Sequence, residues 1–128
     1  KKTARKINKK LKILGVTVLT SFSNKTLKKI GHTRSIKNLV IQQTKLAKSA
    51  GLDGIVCAGH EVEIIKKICR KMEIVTPGIR LSRDKAQDQK RFMTPKKAFG
   101  NGATSIVIGR SITTGDIKKN IQNLRNPI

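Results

Sequence analysis

An α/β fold of about four βα units, half of a (β/α)8 barrel, is what this sequence predicts, and three observations carry the prediction. Short β-branched apolar runs alternate with longer segments whose apolar residues recur at three-to-four spacing, the rhythm of a parallel sheet covered by helices. No Gly-x-Gly-x-x-Gly follows an early strand, which argues against a doubly wound sheet. The last two apolar runs end in arginines, Arg80 and Gly109-Arg110, where a barrel holds phosphate in the loops after its last strands. A barrel needs eight strands and about four are found. Residues 1–128 therefore read as a single partial barrel domain, the second half of the barrel.

Each element has its own signal. Lys2 to Lys10 read as a short basic helix with Ala4, Ile7 and Leu11 on one face. Lys12 to Leu19 read as a buried strand, apolar on both faces, ending in the hydroxyls of Thr20 and Ser21. After a loop and a short helix, Ser35 is the expected N-cap of a helix from Ile36 to Ala50, which stops at Gly51. Its inward stripe is Ile36, Leu39, Val40, Leu46, Ala47 and Ala50. Gly54 to Ala58 form the second strand, and Glu61 to Lys71 the next helix, with Val62, Ile65, Ile68 and Cys69 inward. Ile74-Val75-Thr76 form the third strand, stopped by Pro77-Gly78 because proline cannot donate to a ladder and glycine turns sharply. Thr94-Pro95 start a short helix that ends in Gly100-Asn101-Gly102. Thr104 to Ile108 are the fourth strand, and a last helix runs from about Gly115 to Leu124, for which Thr113 and Thr114 are candidate caps.

The 128 residues and 37% hydrophobic content suffice for one real core. No apolar run approaches the length of a bilayer span and no export leader is recognisable, so a cytoplasmic protein is expected. Lys+Arg 29 against Asp+Glu 7 give a net charge of +22, which creates a positive field and favours anionic partners. With 2% aromatics and neither Trp nor Tyr there is no stacking platform for single-stranded nucleic acid, and the lysines are scattered over most helices. Cys57 and Cys69 lack metal or redox spacing and read as reduced packing residues. His32 and His60 lack the neighbours of a catalytic triad. Met72 and Met93 read as packing residues.

The loop after the third strand carries Arg80, Arg83, Gln89 and Arg91, whose many donors suit a cluster of phosphate oxygens. With Gly109-Arg110 after the neighbouring strand, it marks an anion site. Arg83 and Arg91 are better read as solvated loop arginines.

Four strand ends together resemble the orotidine 5'-phosphate decarboxylases, of the TIM-barrel class. They are Val16-Thr17-Val18-Leu19-Thr20-Ser21, Gly51-Leu52-Asp53-Gly54-Ile55-Val56-Cys57, Val75-Thr76-Pro77-Gly78-Ile79-Arg80 with Asp88-Gln89-Lys90-Arg91, and Ile106-Val107-Ile108-Gly109-Arg110-Ser111-Ile112-Thr113. The resemblance implies a carboxy-lyase of pyrimidine biosynthesis that converts orotidine 5'-monophosphate to uridine 5'-monophosphate and carbon dioxide without metal or organic cofactor. It implies that Thr20 meets the pyrimidine ring, and that Arg80, Gln89, Gly109 and Arg110 bind the ligand, with Gln89, the Gly109 amide and Arg110 nearest the phosphate. It implies a lid over Leu81 to Asp88. The family's catalytic Asp-x-Lys-x-x-Asp network belongs to the first half of its barrel, and Asp84-Lys85-Ala86-Gln87-Asp88 has a different spacing. A chain truncated in this way is expected to bind ligand but not to turn it over alone. It is also expected to pair as a homodimer or with a missing N-terminal half, because a half-barrel exposes sheet edges and apolar faces. The alternatives are a basic nucleic-acid-binding module, which the charge favours, and another phosphate-binding barrel enzyme.

Overall fold

In the computed structural model, which describes residues 1–81 and 93–125, four strands form one parallel sheet in the order β1-β2-β3-β4. The strands are β1 (Leu14–Val16), β2 (Gly54–Val56), β3 (Glu73–Thr76) and β4 (Ser105–Ile106). The helices are α1 (Lys2–Ile7), α2 (Asn24–Lys29), α3 (Ile36–Ser49), α4 (Val62–Ile68), α5 (Pro95–Gly100), α6 (Arg110–Thr113) and α7 (Ile117–Arg125), with a 3-10 turn at Gly59–Glu61. Spatial order equals chain order, without the reversal of a doubly wound sheet. This is a partial (β/α) barrel, as the alternation of strand and helix requires.

Register assigns the faces. Gly15, Ile55 and Ile74 lie side by side in one row, and Val16, Val56, Val75 and Ser105 in the next. Adjacent rows point to opposite faces. Ile55 and Ile74 are wholly buried and pack with Val40, Val62 and Ile65 from α3 and α4. A Cβ at Gly15 would stand 3.2 Å from the Ala47 Cβ, so glycine there lets α3 lie close on the sheet. The valine row behaves differently: Val16 is 63% exposed, and Val107, which continues the alternation of β4, is 50% exposed. The expectation of strands buried on both faces is therefore corrected. Helices cover one face, and on the other the outer Val16 and Val107 are exposed while Val56 and Val75 between them are partly buried.

The strands are also shorter than the apolar runs foretold. β1 and β4 each have a neighbour on one side only, and past their ends single bonds carry on the pairing, Thr17 N–H to Val56 O at 3.0 Å and Val107 N–H to Thr76 O at 2.9 Å.

Caps explain where the helices begin and end. Ser23, Ser35 and Thr94 accept the N–H groups of Thr26, Asn38 and Lys97, each at its helix start. Helix α3 buries Ile36, Val40, Thr44 and Ala47, but Leu46 and Ala50 of the expected stripe are exposed. α1 stops at Ile7 rather than Lys10, because the Asn8 side chain takes the Lys10 N–H at 2.9 Å. Its proposed apolar face is not a face at all, since Ile7 is 90% exposed. Charge holds α1 instead. Asp53 Oδ1 accepts from Lys1 Nζ at 2.6 Å and Arg5 Nη2 at 2.9 Å, and Oδ2 from the Ile13 N–H at 2.9 Å. These contacts keep the Asp53 carboxyl below the usual carboxylate range, the Lys1 hydrogen bond foremost.

The helix expected from Glu61 to Lys71 is the 3-10 turn followed by α4, and it ends at Ile68, with Cys69 as the C-cap residue at φ −132° and ψ 62°. The last helix, expected from about Gly115 to Leu124, is α7, and an additional short helix, α6, precedes it with Gly115 between the two at φ 77°. Asp116, not Thr113 or Thr114, caps α7, accepting the Lys119 N–H at 3.0 Å. Cys57 and Cys69 are buried, and Met93 is buried at 4%.

Candidate functional site

Parallel strands put all four C-terminal ends on one edge of the sheet, so the segments after β1, β2, β3 and β4 converge there whatever their separation in sequence. Buried polarity concentrates at the same edge. The buried polar side chains among the described residues are Thr17, Thr44, Glu61, Thr76, Arg80 and Ser111. All but Thr44, which sits in α3, follow or end a strand. Burying hydroxyls and charges costs free energy unless they meet polar partners, so their gathering at one edge marks a site rather than a core.

After β1, the Thr17 hydroxyl donates to Val56 O at 2.8 Å and locks the strand end to its neighbour. Thr20 lies in the turn that follows, partly exposed, where the Phe22 N–H closes onto Leu19 O at 3.0 Å. After β2, Gly59 packs against the Met93 side chain so tightly that a Cβ there would stand 2.7 Å from its sulfur. After β3, Gly78 turns the chain at φ 77°. The Arg80 N–H then donates to Met93 O at 3.0 Å, and the Met93 N–H to Gly78 O at 3.1 Å. These two bonds clamp the roots of the segment 82–92, and the Gly59 contact ties the clamp to the end of β2.

Arg80 and Glu61 are the two charged side chains buried among the described residues, each 6% exposed and each at the end of one of the two central strands. Arg80 was legible in the sequence as a strand-end arginine. Glu61 stands beside the exposed His60 with no motif to mark it. Its signal was its place, a carboxylate just past the Cys57-Ala58-Gly59 strand end, as Arg80 is just past Pro77-Gly78. An open cleft of about 610 Å³ adjoins it, lined by Asn24, Ile36 and Lys37 from the starts of α2 and α3, by His60 of the 3-10 turn and by Lys67 of α4.

After β4, Gly109 is the residue from which α6 starts, and Arg110 is its first helical residue with its side chain exposed. Gly109 has φ −98° and ψ −108°, and a Cβ added there would meet nothing within 4 Å. Crowding by the described residues does not call for glycine at this position, and the space beside it is open. Ser111, the next residue, is buried, and its hydroxyl has no hydrogen-bond partner among the described residues; the same holds for Thr76.

The structure thus brings Thr20, Arg80, Gly109 and Arg110 to one edge. Gln89, Arg83 and Arg91 lie outside the described residues, as does the expected lid beyond Leu81, which is itself buried. An edge with two arginines, hydroxyls and an unobstructed backbone amide can hold an anion with several oxygens.

Residues 1–120 match the model of a family described as orotidine 5'-phosphate decarboxylase / HUMPS. A protein of Wolbachia pipientis named orotidine 5'-phosphate decarboxylase is 50% identical over 106 residues, 82% of this chain and 46% of its own length. One of the same name from Dictyoglomus thermophilum is 45% identical over 119 residues, 91% of this chain and 49% of its own. The crystal structure of orotidine 5'-phosphate decarboxylase from Lactobacillus acidophilus superposes with a TM-score of 0.72 at 33% identity, covering 89% of this chain and 47% of that one. The chain spans about half the length of the curated relatives it matches.

Proposed function

The chain belongs to the orotidine 5'-phosphate decarboxylase / HUMPS family, and from that membership we propose that it carries the phosphate- and base-binding half of an orotidine 5'-phosphate decarboxylase. The reaction is loss of carbon dioxide from orotidine 5'-monophosphate to leave uridine 5'-monophosphate, a step of pyrimidine synthesis. The observation that carries the reading is the open Gly109 ahead of Arg110, at the edge where buried polar groups gather.

In this reading the Gly109 amide, Arg110 and Gln89 hold the phosphate. Arg80, anchored through its backbone to Met93, belongs to the same ligand site, and Thr20 lies against the pyrimidine ring. The phosphate grip is remote from the bond that breaks, so its energy serves to position the ring and exclude water there. The proton that replaces carbon dioxide on the ring carbon needs a positioned acid. The family's lysine–aspartate network supplies it from the other half of the barrel, and no Asp-x-Lys-x-x-Asp occurs in this sequence. This chain alone therefore binds product-like nucleotide and does not decarboxylate.

Calorimetric titration with uridine 5'-monophosphate at fixed salt tests this. Saturable binding is expected, weakened in Arg110→Ala by about 10- to 100-fold, the loss of charge-assisted hydrogen bonds worth roughly 1.5–3 kcal/mol. A folded chain that ignores the nucleotide would overturn the reading. The net charge of +22 favours one other, a nucleic-acid-binding module, and binding to duplex DNA with steep salt dependence and no response to the nucleotide would establish that instead.

A further inference from the structure

Of the described clefts, one gathers positive charge more than the others. It lies open between α4 and α5, about 510 Å³ in volume, and is lined by Glu63, Lys66, Lys67, Arg70, Gly100 and Asn101, three cations against one carboxylate. Among the described residues none of the three cations is ion-paired, whereas Asp53 and Glu73 both hold basic partners. Glu63 is engaged from the α5 side instead. With its amide oriented to satisfy both ends, Asn101 donates to Glu63 Oε1 at 3.2 Å and to Lys97 O at 3.3 Å. Cations near a helix end ordinarily serve its last carbonyls, and at Ile68 O that role is taken by Lys48 of α3, whose Nζ donates at 3.0 Å. On the other flank of α4, the cleft beside Glu61 shares Lys67 and adds Lys37, so positive charge continues around the helix.

The lining selects the partner. It holds no apolar side chain, so it lacks both the buried anchor on which a protein partner's affinity rests and the apolar face that enters a bilayer surface. Two of its three cations are lysines, point charges on flexible stems, which suit a row of phosphates. Neither Trp nor Tyr occurs in the chain to stack bases, so the backbone of a duplex fits better than a single strand.

We propose that the cleft between α4 and α5 docks the phosphate backbone of double-stranded nucleic acid through Lys66, Lys67 and Arg70. This is a second face, since none of Thr20, Arg80, Gly109 and Arg110 lines the cleft. It does not rest on the reading of the strand-end site, and the duplex binds whether or not that site holds a nucleotide. Contact with phosphates alone is independent of base sequence, and release of counterions makes it salt-dependent.

Fluorescence anisotropy with a labelled DNA duplex over a series of salt concentrations tests it. Two variants that lose equal charge are compared, Lys66→Gln/Lys67→Gln/Arg70→Gln at the cleft and Lys25→Gln/Lys28→Gln/Lys29→Gln at exposed positions of α2. Circular dichroism should be unchanged in both. In the cleft variant the slope of log affinity against log salt should flatten by about 3, and affinity at low salt should fall at least about tenfold. The α2 variant should keep most of both. Lys66 is half-buried, so Lys67→Gln/Arg70→Gln against Lys28→Gln/Lys29→Gln repeats the comparison at exposed side chains alone. Saturating uridine 5'-monophosphate should leave duplex affinity unchanged. Equal losses in the paired variants would mean that total charge acts without a face, and would overturn the proposal. So would displacement of the duplex by the nucleotide, tighter binding to a single strand of the same sequence, or a chain that ignores the duplex and instead captures phosphatidylserine vesicles through the same three cations.

Discussion

Gly109 illustrates how a single residue can be read by what does not require it. A Cβ added there would meet nothing within 4 Å, so alanine should leave the packing around it undisturbed. The added methyl would instead occupy the approach to the backbone amide, and affinity for uridine 5'-monophosphate should fall by about tenfold in the same calorimetric titration. Gly54 is the opposite case, because a Cβ there would stand 2.7 Å from the Glu73 carbonyl oxygen. Asp53 acts at the other end of the sheet. Its carboxyl is lowered in the folded state, so its stabilisation is fully present above the unfolded pKa and is lost as pH falls through the folded one. Thermal melts on the acid side should show this decline, and Asp53→Asn should flatten it while lowering stability at neutral pH.

Among the elements, the helices with hydroxyl caps were legible because Ser35 and Thr94 stand immediately before apolar periodicity, and a cap is a local interaction between residues three apart. The short α6 ahead of the last helix has no comparable local signal. Arg110 to Thr113 close a turn of their own, and Asn120 Nδ2 donates to Ile112 O at 3.0 Å and Thr114 O at 2.9 Å, which sets α7 against α6 across the Gly115 turn. Asp116 starts α7, so Asp116→Ala should destabilise that helix by about 1 kcal/mol. Faster amide exchange confined to α7 would register the loss, with exchange in β2 and β3 unaffected.

At the scale of the whole molecule, one ledger of charge dominates. Seven acidic residues stand against 29 basic ones, so the folded chain repels itself, and screening should relieve that repulsion. The melting temperature should therefore rise with sodium chloride over the range in which the Debye length shrinks, and a fall would mean that specific ion pairs such as Lys12–Glu73 outweigh the repulsion. No described helix is long and apolar enough to cross a membrane.

From sequence alone came the βα alternation, the chain order of strands, the caps of α3 and α5, and the strand-end positions of Thr20, Arg80, Gly109 and Arg110, because all of these follow from local periodicity and from turns that Pro77 or Gly78 enforce. Only the tertiary structure decided which face of each strand is buried. An apolar run such as Ile13 to Leu19 looks the same whether one side or both are covered, and burial depends on what packs from elsewhere in space. The same holds for Glu61, whose burial beside the strand ends arises from the 3-10 turn after β2, and for α1, held by Asp53 across some fifty residues rather than by its own Ile7.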